Sequence, residues 1–202
     1  SMTWSARTTT LAGGDWLQVT PSSGTVEQPL LDIAALTVTV NSDGLAPGPY
    51  YGRIEVIAPS DNSPQFATIV LQVLPPDAEP PPEVLPSGLV FAGREGENPG
   101  SQSVTVTNLI PRGVQFVSSR LTLDGTSWFT HSPANAPVQT GDPVSIVVQP
   151  ELRSLAPGVR RGLLTLLFDD GSSRSISLVS VVAQRQTAGD AQKHGERGLA
   201  GC

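Results

Sequence analysis

Cysteine, lysine and histidine are almost absent from this sequence. The single cysteine, Cys202, is the last residue, so the chain can form no internal disulfide and no cysteine-based metal site. Lys193, near the C-terminus, is the only lysine, so no lysine–asparagine isopeptide bond can form within residues 1–183. Histidine occurs only as His131 and His194, which leaves few groups for acid–base chemistry. We therefore predict no catalytic residues, no metal ligands and no cofactor.

Positive charge is also scarce. The chain has 12 lysines and arginines against 18 aspartates and glutamates, and its richest basic cluster is the pair Arg160-Arg161. We expect no nucleic-acid partner, because phosphate binding needs a basic face. No apolar run is long enough to cross a bilayer and no signal peptide is evident, so we predict no membrane span. The chain is nevertheless 38% apolar and 15% charged, a composition that can bury a core.

One pattern occurs twice in the chain. Aromatic anchors and a four-residue turn recur in the same order, first 112 and then 110 positions later. The matching positions are Trp4 with Phe116, Trp16 with Trp128, Leu45–Gly48 with Leu155–Gly158, Gly52 with Gly162, and Ile69, Leu71 and Val73 with Val179, Val181 and Ala183. Four identical residues in a row between matched anchors indicate an internal duplication.

Each copy has the pattern of β-structure. In residues 36–40 and 103–107, apolar side chains alternate with threonine or serine, the period of two that is typical of a half-buried strand. No stretch of 12 residues in either copy keeps apolar residues at helical spacing, and 19 prolines with 20 glycines favour short strands joined by turns. We predict an all-β protein of two tandem immunoglobulin-like β-sandwich domains, residues 1–74 and 84–183.

The turns can be predicted from residue chemistry. In Leu45–Gly48 and Leu155–Gly158, proline presets φ at the first central position of a type II turn, and glycine supplies the positive φ needed at the next. Asp169–Gly171 is predicted to be a hairpin turn. It lacks the spaced acidic ligands that a calcium loop would need.

The remaining segments are a linker and a tail. Residues 75–83 contain five prolines, which predicts an extended, semi-rigid spacer. Residues 184–202 are polar and almost free of large apolar side chains, which predicts a flexible tail.

Copy one is shorter than copy two at its start. In copy two, 31 residues (85–115) precede the position that matches Trp4, whereas copy one has only residues 1–3 there. We expect the first sandwich to lack its first two strands. An incomplete sandwich exposes a strand edge, which could be filled by dimerisation, by the C-terminal tail or by strand exchange. A homodimer through the incomplete first domain is therefore a candidate assembly.

The first copy resembles the BACON domain, a bacterial immunoglobulin-like module. The resemblance rests on Trp16–Thr25, with its Trp-Leu and Pro-Ser-Ser-Gly stretches, followed by Leu45–Ile54, with Leu-Ala-Pro-Gly and Tyr-Gly. Residues 85–183 resemble a diverged copy, and Leu89–Phe91 with Val104–Asn108 is also similar to other bacterial and ciliary immunoglobulin-like repeats. The resemblance implies a β-sandwich in an extracellular, cell-surface or periplasmic protein, and it raises carbohydrate binding.

Aromatic side chains are the remaining candidates for a site. Sugar rings stack on exposed aromatic faces, and Trp16, Tyr50 and Tyr51 are the groups that we assign to such a site. For Trp16 a structural role is the alternative, because Trp128 recurs at its repeat position. His131 has no motif around it and is expected to be an exposed loop residue. We predict that the chain is a non-catalytic structural or interaction module of a larger secreted or cell-surface bacterial protein, and that its partners are the other domains of that protein. The alternative is a carbohydrate-binding module for a polysaccharide or glycan.

Overall fold

The chain folds entirely into β-strands, turns and loops over the residues described by its structure, a computed structural model. Those residues are 1–28 and 31–185. The predicted tail, residues 184–202, lies almost wholly outside them. Two separate hydrophobic cores form, one from residues 2–71 and one from residues 84–182. The prediction of an all-β, immunoglobulin-like sandwich protein is confirmed.

The first sandwich contains six strands. These are β1 (Met2–Thr10), β2 (Leu17–Thr20), β3 (Ser23–Val26), β4 (Thr37–Val40), β5 (Gly48–Ile57) and β6 (Gln65–Val73). One sheet has the order β3-β1-β5-β6 and the other consists of β2 and β4 alone. All pairings in both sheets are antiparallel.

The second sandwich contains nine strands. These are β7 (Glu83–Leu85), β8 (Gly88–Arg94), β9 (Gln102–Thr107), β10 (Val114–Thr122), β11 (Phe129–Ser132), β12 (Asn135–Val138), β13 (Val144–Pro150), β14 (Gly158–Phe168) and β15 (Ser173–Ala183). Its sheets have the orders β12-β10-β14-β15-β8 and β11-β13-β9-β7. The pairing of β8 with β15 is parallel, and the other pairings between strands are antiparallel.

The six strands of the first sandwich correspond in order to the last six of the second. β1 and β10 begin and end at positions exactly one repeat apart, and their sheets keep the same neighbours. Within residues 1–28 and 31–74, no strand corresponds to β7, β8 or β9. We expected two strands without a counterpart, and there are three, because the opening strand of the second sandwich is broken at Pro86 and its halves join different sheets.

The alignment of the last strand was wrong by one residue. Gly52 pairs with Ile69 across β5 and β6, and Gly162 pairs with Leu178 across β14 and β15. Ile69 therefore corresponds to Leu178 rather than to Val179. The second copy has one residue fewer between the glycine of the central strand and its partner on the last strand, and a shift of one residue turns every side chain to the other face.

A tryptophan packed on a glycine joins the two sheets in each sandwich. Trp16 lies over Gly52, where a methyl group would be 3.1 Å from the indole, and Trp128 lies over Gly162 at the same distance. In the second sandwich the indole also meets Phe129 edge-on, with ring centroids 4.9 Å apart. Only a residue without a side chain permits this approach, which explains why the tryptophan and the glycine recur together.

The turns and the linker differ in detail from their predictions. Gly48 and Gly158 have the expected positive φ, but the hydrogen-bonded turns lie just before them, closed by Leu45 N–H on Ser42 O and by Leu155 N–H on Leu152 O. The hairpin turn at Asp169–Gly171 is confirmed, with Gly171 N–H donating to Phe168 O at 3.0 Å.

The proline-rich linker is not extended over its whole length. Ala78 N–H donates to Pro75 O at 3.0 Å, which closes a turn in its first half. In its second half Pro82 is buried, and Glu79 forms an exposed ion pair with Arg112 at 3.5 Å. The second half therefore packs on the second sandwich.

Candidate functional site

The three aromatic residues assigned to a carbohydrate site do not come together. Trp16 is 2% exposed, and its indole N–H donates to Ala12 O at 3.0 Å, so neither ring face is open to a ligand. Tyr50 and Tyr51 are neighbours on β5 and point to opposite faces of its sheet. Tyr50 packs against the first core, whereas Tyr51 is 47% exposed. Of the three residues, only Tyr51 is exposed enough to stack on a sugar ring.

Tyr50 holds the loop before its own strand. Its hydroxyl donates to Ala46 O at 3.0 Å, and its ring lies so close to Gly13 that a methyl group there would be 2.8 Å away. In the second sandwich Arg160 occupies the same repeat position and donates to Ala156 O, also at 3.0 Å. Two different side chains thus make the same hydrogen bond to the Leu-Ala-Pro-Gly segment, which indicates a structural role.

Tyr51 borders a shallow groove on the outer face of its sheet. The groove has a volume of about 370 Å³ and is lined by Thr9, Leu11, Tyr51, Gly52, Arg53 and Thr68. Strand pairing forms it, because Thr9 on β1 and Thr68 on β6 flank Arg53 in the central strand. Its size is within the range of pockets that hold small organic ligands.

The charged side chains on this face of the sheet contact other side chains. Arg53 stacks on the exposed ring of Phe66, with its guanidinium carbon 4.8 Å from the ring centroid, a cation–π contact worth about 0.5–1 kcal/mol at an exposed site. Arg7 pairs with Glu55 on the same face. The sequence could have pointed to Arg53, since it is two residues from Tyr51 on one strand face, but the cross-strand partners depend on a register that no local pattern specifies.

His131 lies on a strand, and the prediction of an exposed loop residue is wrong. It is half-buried on β11, with Nε2 2.6 Å from Ser118 Oγ on β10, so the contact joins the two sheets of the second sandwich. Burial lowers the pKa of His131 below its ordinary value of 6.5, and the positive charge of Arg120 lowers it further. The repeat counterparts are Ala6 and Val19, so two apolar residues of the first copy are replaced by a polar pair in the second.

The Ser118–His131 pair lacks the other parts of a catalytic site. The serine hydroxyl also lies 2.7 Å from Ala134 O, an acceptor that competes with the imidazole for the single hydroxyl proton. A charged arginine, rather than a carboxylate, lies beside the imidazole. A nucleophile needs a base that is itself oriented by a third group, and this pair does not have that arrangement.

A second groove lies at one end of the second sandwich. It has a volume of about 440 Å³ and is lined by Glu95, Gly96, Arg153, Ser154, Leu155, Ala156 and Arg185. Its charged side chains are exposed. In the described part of the chain, no three side chains of His, Cys, Asp or Glu come together to hold a metal ion. The same residues include no helix long and apolar enough to cross a membrane.

Comparison with known proteins identifies no family. No protein-family model matches the chain, and no curated protein matches it either. The ASH or PapD-like domain 7 of human CEP192 is similar at 14% identity and a TM-score of 0.47, over 57% of this chain and 96% of that one.

Two further solved structures are similar at comparable levels. The periplasmic chaperone SfaE matches at 12% identity and a TM-score of 0.43, over 55% of this chain and 64% of that one. The D0-D1 domain of intimin matches at 13% identity and a TM-score of 0.37, over 89% and 80%. These levels of similarity say nothing about function, and the BACON resemblance stays a prediction.

Proposed function

We propose that this chain is a non-catalytic structural or interaction module of a larger secreted or cell-surface bacterial protein. The observation that carries the proposal is the duplication itself: two β-sandwiches, each with its own core, joined by a proline-rich segment. Such an arrangement suits a protein that spaces or presents neighbouring domains. The resemblance to BACON domains supports an extracellular, cell-surface or periplasmic location and a bacterial source.

The chemistry of the described residues favours a non-enzymatic role. The Ser118–His131 pair is the one serine–histidine hydrogen bond among them, and the Ala134 carbonyl competes with the imidazole for the serine proton. Hydrolysis by a serine and a histidine would need a hydroxyl whose proton the histidine can take and a carboxylate that orients the histidine.

The test is a panel of esterase, glycosidase and peptidase substrates, run with the wild-type chain and with Ser118→Ala. We expect the same background rate from both proteins. Turnover by the wild type that Ser118→Ala abolishes would refute the proposal. Ser5→Ala, a change of the same kind on the outer face of β1, is the control for nonspecific effects.

A carbohydrate-binding module is the second candidate. Tyr51 favours it, because it is an exposed tyrosine beside a groove that also offers threonine hydroxyls and a guanidinium as hydrogen-bonding groups. The repeat position in the second sandwich holds Arg161, so the second sandwich has no matching tyrosine.

Calorimetry with plant and mucin oligosaccharides tests this candidate. If a sugar binds at Tyr51, Tyr51→Ala should weaken binding by about 2- to 10-fold, the worth of one aromatic contact. Arg161→Ala, at the matched position, should leave binding unchanged. The absence of heat with every sugar at millimolar concentration would remove the carbohydrate candidate and leave the structural one.

A further inference from the structure

The outer face of the larger sheet in the second sandwich carries a cluster of apolar side chains. Residues 159, 161 and 163 of β14 point to this face, because residues 162 and 164 are buried on the opposite one. Cross-strand pairing, and a hydrogen bond from Leu123 N–H to Arg161 O at 3.0 Å, bring residues of β10 and β15 to the same place. The cluster, called the apolar patch below, consists of Leu121, Leu123, Val159, Leu163, Val179 and Val181.

The apolar patch is open to solvent over the described part of the chain. Leu121 is 56% exposed, Leu123 is 68% exposed and Val159 is 55% exposed, and the other three members are half-buried. A row of hydroxyl side chains borders the patch toward the middle of the sheet; it consists of Ser119, Thr165 and Ser175. Single exposed apolar residues are normal on a protein surface, whereas a contiguous group of them marks an interaction site.

The first sandwich shows that the fold does not need apolar side chains at these positions. Three members of the patch, Leu121, Leu163 and Val181, have polar counterparts on the same sheet face of the first sandwich. Those counterparts are Thr9, Arg53 and Gln72. Packing within the sandwich therefore gives no reason for the two leucines and the valine of the second copy.

One charged side chain lies within the apolar patch. Arg161 is exposed, and the ion pairs among the described residues involve Arg7, Arg112 and Arg160 instead. Asp124, which follows a member of the patch along the chain, pairs with Arg160 at 3.3 Å. The guanidinium of Arg161 thus has no carboxylate partner among the described residues and can pair with one from outside the chain.

These features define the chemistry of a partner. A guanidinium pairs with a carboxylate through two parallel hydrogen bonds, and the centre of a protein interface favours arginine together with large apolar side chains. A second copy of this chain does not fit the patch, because a twofold contact between identical faces would bring two Arg161 side chains together.

We propose that the apolar patch around Arg161 is a docking surface for another protein, whose matching surface presents an aspartate or glutamate between large apolar side chains. The apolar contacts provide the buried area. The pair between Arg161 and the carboxylate fixes the orientation and excludes basic partners. This inference rests on the proposed function as an interaction module, and it specifies the contact surface and the chemistry of the partner.

The experiment titrates the full chain with the peptide acetyl-Leu-Ser-Glu-Ser-Phe-amide and records amide chemical shifts by NMR. In an extended conformation, the leucine, glutamate and phenylalanine of this peptide share one face. At millimolar peptide we expect shift changes at Leu121, Arg161 and Val179. We expect none at Val117 and Leu167, which lie on the same sheet face beyond the hydroxyl row. A peptide with lysine in place of glutamate should bind at least about fivefold more weakly.

Three variants separate the roles of charge and apolar contact. Arg161→Gln removes the charge, so the two peptides should bind to it equally. Leu121→Thr introduces the residue type of the first copy and should weaken the binding of both peptides by about threefold. Val117→Thr changes an exposed apolar residue outside the patch and should bind both peptides as the wild type does. Unchanged amide shifts away from each substitution show that the variants are folded.

Each result either supports or overturns the inference. Shifts confined to the patch, with a preference for the glutamate peptide that Arg161→Gln removes, support it. Equal binding of the two peptides to the wild type overturns it, and so do shifts outside the patch or no shifts at millimolar peptide. Patch shifts that change with the concentration of the chain alone also overturn it, because a second copy would then occupy the patch. The substrate panel is a separate measurement, so the proposed non-catalytic role can fail while the peptide still binds.

Discussion

A substitution at Gly162 tests how the two sheets of the second sandwich are joined. In Gly162→Ala the new methyl group would be 2.8 Å from Phe129 Cε1, 3.1 Å from Trp128 and 3.2 Å from the carbonyl oxygen of Leu121. Both aromatic side chains are fully buried, so they have no free space to enter. Overpacking of this kind costs about 1–3 kcal/mol of stability. At a slope of about 4 kcal/mol per molar guanidinium, the unfolding midpoint should fall by about 0.5 M.

The assay is guanidinium unfolding followed by fluorine NMR of the 5-fluorotryptophan-labelled chain. The chain has three tryptophans, and Trp128 alone reports the second sandwich. Gly52→Ala should cost less, because its closest contact is the flexible end of Leu17. Gly100→Ala meets no atom within 4 Å and should change stability by less than about 0.5 kcal/mol. An unchanged midpoint for Gly162→Ala would refute the packing argument.

Three further predictions concern polar contacts. Asn108 is buried and makes three hydrogen bonds, to Arg112 O, Val138 O and Ile110 N–H. Asn108→Ala should therefore lower the stability of the second sandwich by about 2–4 kcal/mol in the same unfolding assay, and a loss below about 1 kcal/mol would count against this role. The pKa of His131 is lowered on folding, so the contribution of this residue to stability is complete above about pH 6.5 and declines as the pH falls toward the folded pKa. The wild type should therefore lose more stability than His131→Val when denaturation is measured at about pH 5.5 instead of about pH 7.5. Tyr50→Phe removes one exposed hydrogen bond and should cost about 0.5–1 kcal/mol, seen at the Trp16 signal, whereas a larger loss would indicate a second role for the hydroxyl.

Strand periodicity and the internal repeat were enough to predict the fold. The alternation in residues 36–40 and 103–107 corresponds to β4 and β9, and the matched tryptophans lie at equivalent places between the sheets. These features are local, or depend only on comparing the two copies. They require no knowledge of which strands pair.

Register and environment were harder to predict. Ile69 was aligned with Val179 because three apolar residues alternate at either register, and only the pairing across Gly52 and Gly162 distinguishes the two. His131 was expected to be exposed because its contact with Ser118 joins residues on two different sheets, which no local motif encodes.

The candidate site was predictable in part. An exposed tyrosine on β5 followed from the alternation of Tyr50 and Tyr51, but which of the two is exposed depends on the face that packs against the core. The groove itself is formed by three neighbouring strands.

The most direct measurement compares two backbone amides in one sample of the free chain. Val70 on β6 and Val179 on β15 are register counterparts, but β8 lies on the outer side of Val179, whereas no described strand lies on the outer side of Val70. Hydrogen exchange measured by NMR should be strongly protected at Val179 and close to unprotected at Val70. Equal protection at the two amides would contradict the strand order in which β8 pairs with the outer edge of β15 and no described strand pairs with the outer edge of β6.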